Sequence, residues 1–174
     1  VLLEKGTMIK EGIPEEVFDF YNATIAEKEN NSIELYDIGE GKVQTKSGTG
    51  EAQVEDVRLL NENGEISEYI KIGENVEIQV LVKIYSPIET LVMGYGIRDR
   101  LGQVLYGTNT WYTDQVVLDP IPGATYLFRI KFPANFGFGS YSIQVALVDR
   151  EHHLTSNYEW TDVALVFNVV NVDK

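Results

Sequence analysis

Residues 91–111 read LVMGYGIRDRLGQVLYGTNTW. Leu91, Met93, Tyr95 and Ile97 alternate with Val92, Gly94, Gly96 and Arg98. The apolar set has the period of two expected of a strand lying on a core. In the other set two glycines stand where a strand normally carries side chains. Glycine weakens a strand and marks a bulge or a place where something approaches the backbone closely.

The same period extends on both sides. Strands are expected at 51–60, 75–85, 90–99, 103–109, 124–132, 139–149, 154–160 and 163–170. Asn63-Gly64, Ser86-Pro87, Leu101-Gly102 and Pro122-Gly123 supply turn chemistry between them. Eight strands at this spacing, without intervening helical pattern, predict an all-β chain whose main body is an immunoglobulin-like antiparallel β-sandwich. Gly139-Ser140-Tyr141 opens its strand as the tyrosine corner of such sandwiches does. In 139–149, Tyr141, Ile143, Val145 and Leu147 fall on one face, with Ser142, Gln144, Ala146 and Val148 on the other.

Ahead of the sandwich, VLLEKGTMIKEG reads as a short strand, a turn at Lys5-Gly6 and a second strand. Residues 14–28 (PEEVFDFYNATIAEK) follow as one amphipathic helix. Pro14 suits the first helical position, and Glu15 and Glu16 complement the positive helix end. Val17, Phe18, Tyr21 and Ile25 form its apolar stripe. Residues 29–50 are polar, with four glycines near their end, and read as a linker ordered in part around Ile33, Leu35 and Tyr36. The expected division is 1–30, 31–50 as linker, and 51–174 as the sandwich. The opening residue is not methionine, and the chain is expected to be a piece of a longer protein.

Composition bounds the chemistry. The 174 residues carry 27 acidic against 14 basic side chains, a formal charge of −13. Such a surface repels nucleic acid and anionic lipid, so no nucleic-acid partner is expected. There is no cysteine, hence no disulfide framework and no thiolate metal site. His152 and His153 are the only histidines. Adjacent strand residues point to opposite faces, and a site needs three or four converging ligands, so no metal is expected. No nucleophile elbow, zinc-protease helix or phosphate-binding loop is present, and no cofactor or catalytic residue is assigned. No run of about 18 apolar residues offers a membrane-spanning helix.

If the third and sixth strands of the sandwich are neighbours, as in the immunoglobulin order, their outward small residues lie side by side. Gly94, Gly96, Ser142 and Ala146 then form a shallow trough, rimmed by Arg98 and Gln144. The alternative is that the glycines accommodate a bulge or a covering loop. Two adjoining segments, 106–112 (YGTNTWY) and 152–160 (HHLTSNYEW), carry rings and amides. Sugars are held by flat rings against C–H faces and by planar groups that bond paired hydroxyls. Tyr106, Trp111, Tyr112, Tyr158 and Trp160 are candidate rings. Asn109, Arg98, Gln144 and Asn157 are candidate planar partners.

Two regions together carry a resemblance. The stretch LLEKGTMIKEGIPEEVFDFYN (residues 2–22) resembles the tail of an ABC-transporter nucleotide-binding domain. It is followed by GYGIRDRLGQVLYGTNTW (94–111) and FGFGSYSIQVALVD (136–149). The combination resembles the C-terminal extension of the Wzt-type ATP-binding subunit of bacterial O-antigen polysaccharide exporters. The resemblance implies a non-catalytic, cytoplasmic carbohydrate-binding module, located at the inner face of the inner membrane through the transporter. Its implied ligand is the non-reducing terminus of a lipid-linked O-polysaccharide, recognised on an outer sheet face so that chain completion is coupled to export. It also implies a homodimer, contact with the transmembrane subunit through the missing nucleotide-binding domain, and ATPase activity confined to that missing part. Ile97-Arg98-Asp99-x-x-Gly102 and Gly107-Thr108-Asn109 match the family pattern, which weighs towards a structural role for Asn109. The competing expectation is a dimerisation or protein-interaction sandwich that binds no glycan.

Overall fold

The computed structural model describes residues 1–4, 6–14, 16–18, 20–21, 32–39, 42–150 and 157–171. The expected histidine pair, Ile25 and the start of the expected strand 154–160 lie outside the described residues.

The chain opens with an antiparallel hairpin of β1 (Leu2–Glu4) and β2 (Thr7–Lys10). Positions 14, 16–18, 20 and 21 are helical, and Val17 N–H donates to the Ile13 carbonyl at 3.2 Å. Val17 is buried, whereas Phe18 and Tyr21 are exposed. Within the segment expected as a linker ordered in part around Ile33, Leu35 and Tyr36, β3 (Ser32–Gly39) and β4 (Lys42–Gly48) pair antiparallel.

Two sheets make the sandwich. One contains β5 (Ala52–Leu60), β7 (Asn75–Ile84) and β11 (Thr125–Pro133), in the order β11-β7-β5. The other centres on β8 (Thr90–Asp99), β12 (Gly139–Val148) and β13 (Asn157–Val170). On its one side β9 (Val104–Asn109) and the two-residue β10 (Val117–Leu118) both pair with β8. On its other side β13 pairs β4 antiparallel and the short β6 (Tyr69–Lys71) in parallel. Counted along the sandwich, β8 and β12 are its third and sixth main strands, and they are neighbours as expected.

Alternation explains the layers. In β7, Val76, Ile78, Val80, Val82 and Ile84 are buried, while Glu77, Gln79 and Lys83 face out. Opposite them stand Leu91, Met93 and Ile97 of β8 and Ile143, Val145 and Leu147 of β12. Phe167 of β13 is fully buried and stacks on Tyr141 with centroids 5.6 Å apart. The Tyr141 hydroxyl donates to the Gly137 carbonyl at 2.8 Å, the corner expected of this strand start.

The two strands expected at 154–160 and 163–170 are one strand with a bulge. Ile143 faces Leu165 and Val145 faces Thr161, so β13 carries two extra residues there. Asp162 sits in that bulge, buried, and its carboxylate accepts from Thr45 N–H and Val163 N–H, both at 2.8 Å. The polar break in the sequence is therefore a kink that ties β4 to β13, not a turn.

Candidate functional site

The β8–β12 register places Gly94 opposite Ala146 and Gly96 opposite Gln144. On the far side of β8, Gly94 faces Asn109 and Gly96 faces Gly107 of β9. On the far side of β12, Ala146 faces Trp160 of β13. Directly opposed residues share a sheet face. One row across the outer face therefore reads Asn109, Gly94, Ala146, Trp160. Its ends are three strand spacings apart, about 14 Å.

A groove of about 260 Å³ follows that row. Gly94, Gly107 and Ala146 line its base, and Gln144, Asn109, Tyr112 and Trp160 also line it. Its volume lies just below the usual range of ligand clefts, which starts at about 300 Å³. Substituents fit there because Gly94 has no side chain. A Cβ built on it would lie 3.4 Å from the Asn109 Cβ and 3.8 Å from the Ala146 Cβ.

Gly96 has a different reason for being glycine. A Cβ on it would stand 2.7 Å from Gln144 Nε2 and 2.9 Å from Gln144 Cδ. Gln144 thus lies across Gly96 and closes that end of the trough. Its Oε1 is buried and has no hydrogen-bond partner. An orphan acceptor of this kind costs about 1–3 kcal/mol, which a donor brought by a ligand would recover.

The expected ring and amide residues separate into groups. Gly94, Asn109, Tyr112, Gln144 and Trp160 come together at the groove. Asn109 also holds its own turn, since its Oδ1 accepts from Tyr112 N–H at 3.0 Å. That bond sets the Tyr112 backbone beside the groove. Trp111 lies in the same turn, exposed, outside the groove lining. Tyr106 faces Ile97 and packs its ring against Tyr95 at 6.0 Å, on the inner side of the β8 edge. Ser142 faces Arg98 further along the strands, away from the groove lining.

Three residues expected at the trough are built into the protein instead. Arg98 is only 8% exposed, between Ser142 of β12 and Val104 of β9, and does not rim the groove. Tyr158 is 5% exposed and belongs to the core cluster. Its hydroxyl donates to the Thr90 carbonyl at 3.1 Å and reaches Asp149 at 3.3 Å. Burial, reinforced by the Asp149 charge, pushes this phenol well above its usual range. The cause is a register shift: Val148 faces Asn157 and Leu147 faces Glu159, leaving Tyr158 as an extra residue. Alternation is reset there, which turns Tyr158 inward. Asn157 beside it is buried too.

Tyr95, Gly107, Thr108 and Val148 line the groove without having been singled out as contacts. Burial, with Tyr106 alongside, pushes the Tyr95 hydroxyl up to about 12, so it remains neutral. Alternation assigns Tyr95 to the core face, where it packs against the core cluster, and it lines the groove as well.

Below the groove, Glu159 is buried and pairs with Lys46 at 3.0 Å. It also accepts from Val54 N–H at 3.2 Å, which ties β13 to β5 of the other sheet. Burial raises its pKa, and the Lys46 contact opposes that shift.

A search of curated protein sequences finds no match. Among solved structures, the crystal structure of the C-terminal domain of Wzt superposes with a TM-score of 0.65 at 15% identity, covering 75% of this chain and 86% of that one. A CARDB domain from Pyrococcus furiosus, solved in complex with di-metal ions, gives a TM-score of 0.45 at 14% identity, covering 69% of this chain and 94% of that one. The sequence profile of the Wzt C-terminal domain matches residues 43–174, and the chain belongs to that family.

Proposed function

We propose that the chain is a non-catalytic carbohydrate-binding module that takes the non-reducing terminus of a lipid-linked O-antigen polysaccharide. Occupancy of the module then reports a finished chain to the ABC exporter. The observation that carries this reading is the outward groove over Gly94 and Ala146, flanked by Trp160 and Tyr112 and edged by two amides. A ring packs against a sugar C–H face, and an amide bonds neighbouring hydroxyls in pairs. Family membership supports the same reading.

Residues 1–30 are then the tail of a nucleotide-binding domain, and the ATPase activity and the contact with the transmembrane subunit belong to the part that precedes them. The module works in the cytoplasm, beneath the inner membrane. Glycan-array binding of the chain tests the reading: a single class of O-polysaccharide terminus is expected to bind, and substitution of Trp160 by Ala to weaken it.

Pairing of two chains is the second reading. Exposed Leu3, Ile13 and Phe18 favour it, the last at 66% exposure, beside a groove lined by Leu2, Pro14 and Val17. A dimer places two weak glycan sites on one assembly and raises avidity. Light scattering alongside the glycan titration separates a dimer that binds sugar from one that serves association alone.

A further inference from the structure

The groove contains no charged side chain among the described residues that line it. Its surfaces are small and apolar at Gly94, Ala146 and Val148, aromatic at Tyr112 and Trp160, and neutral-polar at Gln144. Among the described residues, the cations Arg98, Lys46, Lys83 and Arg150 are paired, buried or distant. Arg98 is buried on β8, about 13 Å along the strand from Gly94. Lys46 pairs with Glu159 at 3.0 Å. Lys83 is on β7 of the opposite sheet, its ammonium 5.0 Å from the centre of the Tyr85 ring. Arg150, two residues past Val148, pairs with Asp149 at 3.5 Å and does not line the groove. The whole chain carries −13. A phosphate or carboxylate brought here would lose water without gaining a charge partner, which is strongly unfavourable.

We infer that the groove takes an uncharged sugar terminus bearing an apolar substituent, such as a deoxy position or an acyl methyl group, and rejects anionic termini. The inference rests on the carbohydrate-binding reading above. The apolar substituent sits on Gly94 and Ala146, where no side chain competes for space. A hydroxyl or amide N–H beside it meets the unsatisfied Gln144 Oε1 after a small side-chain rotation. The sugar ring lies against Trp160.

The test is a nuclear magnetic resonance titration of the isotope-labelled chain with four probes: N-acetylglucosamine, L-rhamnose, glucuronic acid and mannose 6-phosphate. The amides of Gly94, Gly107 and Ala146 are expected to shift with the two neutral sugars, independently of salt. The two anionic sugars are expected to bind about tenfold more weakly or not at all. Equal or tighter binding of either anion, lost with added salt or in Arg150→Ala, overturns the charge inference and leaves glycan binding standing. No shift at these amides with any probe overturns the carbohydrate reading itself, and the inference with it.

Discussion

Gly96 of β8 and Gln144 of β12 stand directly opposite each other, and the Gln144 amide fills the place of the side chain that Gly96 lacks. One glycine of the pair in this strand therefore serves the protein's own packing. The other, Gly94, lies on the groove floor, where an added Cβ would meet its neighbours at ordinary contact distance. This division makes the two positions behave differently on substitution.

Gly96→Ala forces a methyl group to within 2.7 Å of Gln144 Nε2. The backbone there is ordinary strand, so the chain still folds. Displacing Gln144 costs about 1 kcal/mol, the low end of the range for overpacking a filled site, because the displaced group is the end of a flexible side chain. Urea denaturation reads the loss, and the Gln144 side-chain amide resonance moves as the group swings off the strand.

Gly94→Ala places its methyl group at contact distance from Asn109 and Ala146, with no overlap. Stability is expected to change by no more than about 0.5 kcal/mol. The groove floor rises, and glycan affinity falls. Ala146→Leu fills the same floor from the neighbouring strand and has the same effect on binding. Calorimetric titration beside a melting curve separates lost binding from lost fold.

Trp160 and Tyr158, two residues apart, have opposite expected phenotypes. Trp160→Ala removes a groove wall and costs about 2 kcal/mol of glycan binding, as a central aromatic contact does. Tyr158→Phe removes hydroxyl bonds to Thr90 and Asp149 and costs about 1 kcal/mol of stability. It leaves glycan affinity unchanged, because Tyr158 is packed in the core.

Glu159 makes stability depend on pH. Burial raises its carboxyl pKa in the folded chain, with the Lys46 ion pair pulling the other way. Between the unfolded value, about 4.3, and the raised folded value, the folded chain holds the proton more often than the unfolded one. Stability from this group is therefore fully present below the unfolded pKa and is lost as pH rises through the folded pKa. Relative to Glu159→Gln, which does not titrate, the wild-type chain loses stability across that window. Urea midpoints of the two proteins at matched ionic strength, from pH 4 upward, measure the slope.

Much of the fold is legible because burial repeats every second residue. Val76 to Ile84 and Tyr141 to Leu147 announce core strands without any tertiary knowledge. The Gly94–Ala146 adjacency follows from one added premise, the order of strands in an immunoglobulin-like sandwich. What alternation cannot reach is local irregularity. The register shift beside Val148 turns Tyr158 inward, and nothing in NYEW signals it. Arg98 has outward parity but is buried beside the edge strand β9, and a charged residue gives no hint of that. The β3–β4 hairpin is built from a polar, glycine-containing segment whose strand character depends on β13 being available to pair with β4.

The most direct test is a crystal structure of the chain soaked with the terminal oligosaccharide of the O-polysaccharide from its own source. The terminal ring is expected over Gly94 and Ala146, against Trp160 and within hydrogen-bond reach of Gln144. A sugar seated on the β11-β7-β5 sheet, or none bound at saturating concentration, contradicts this expectation.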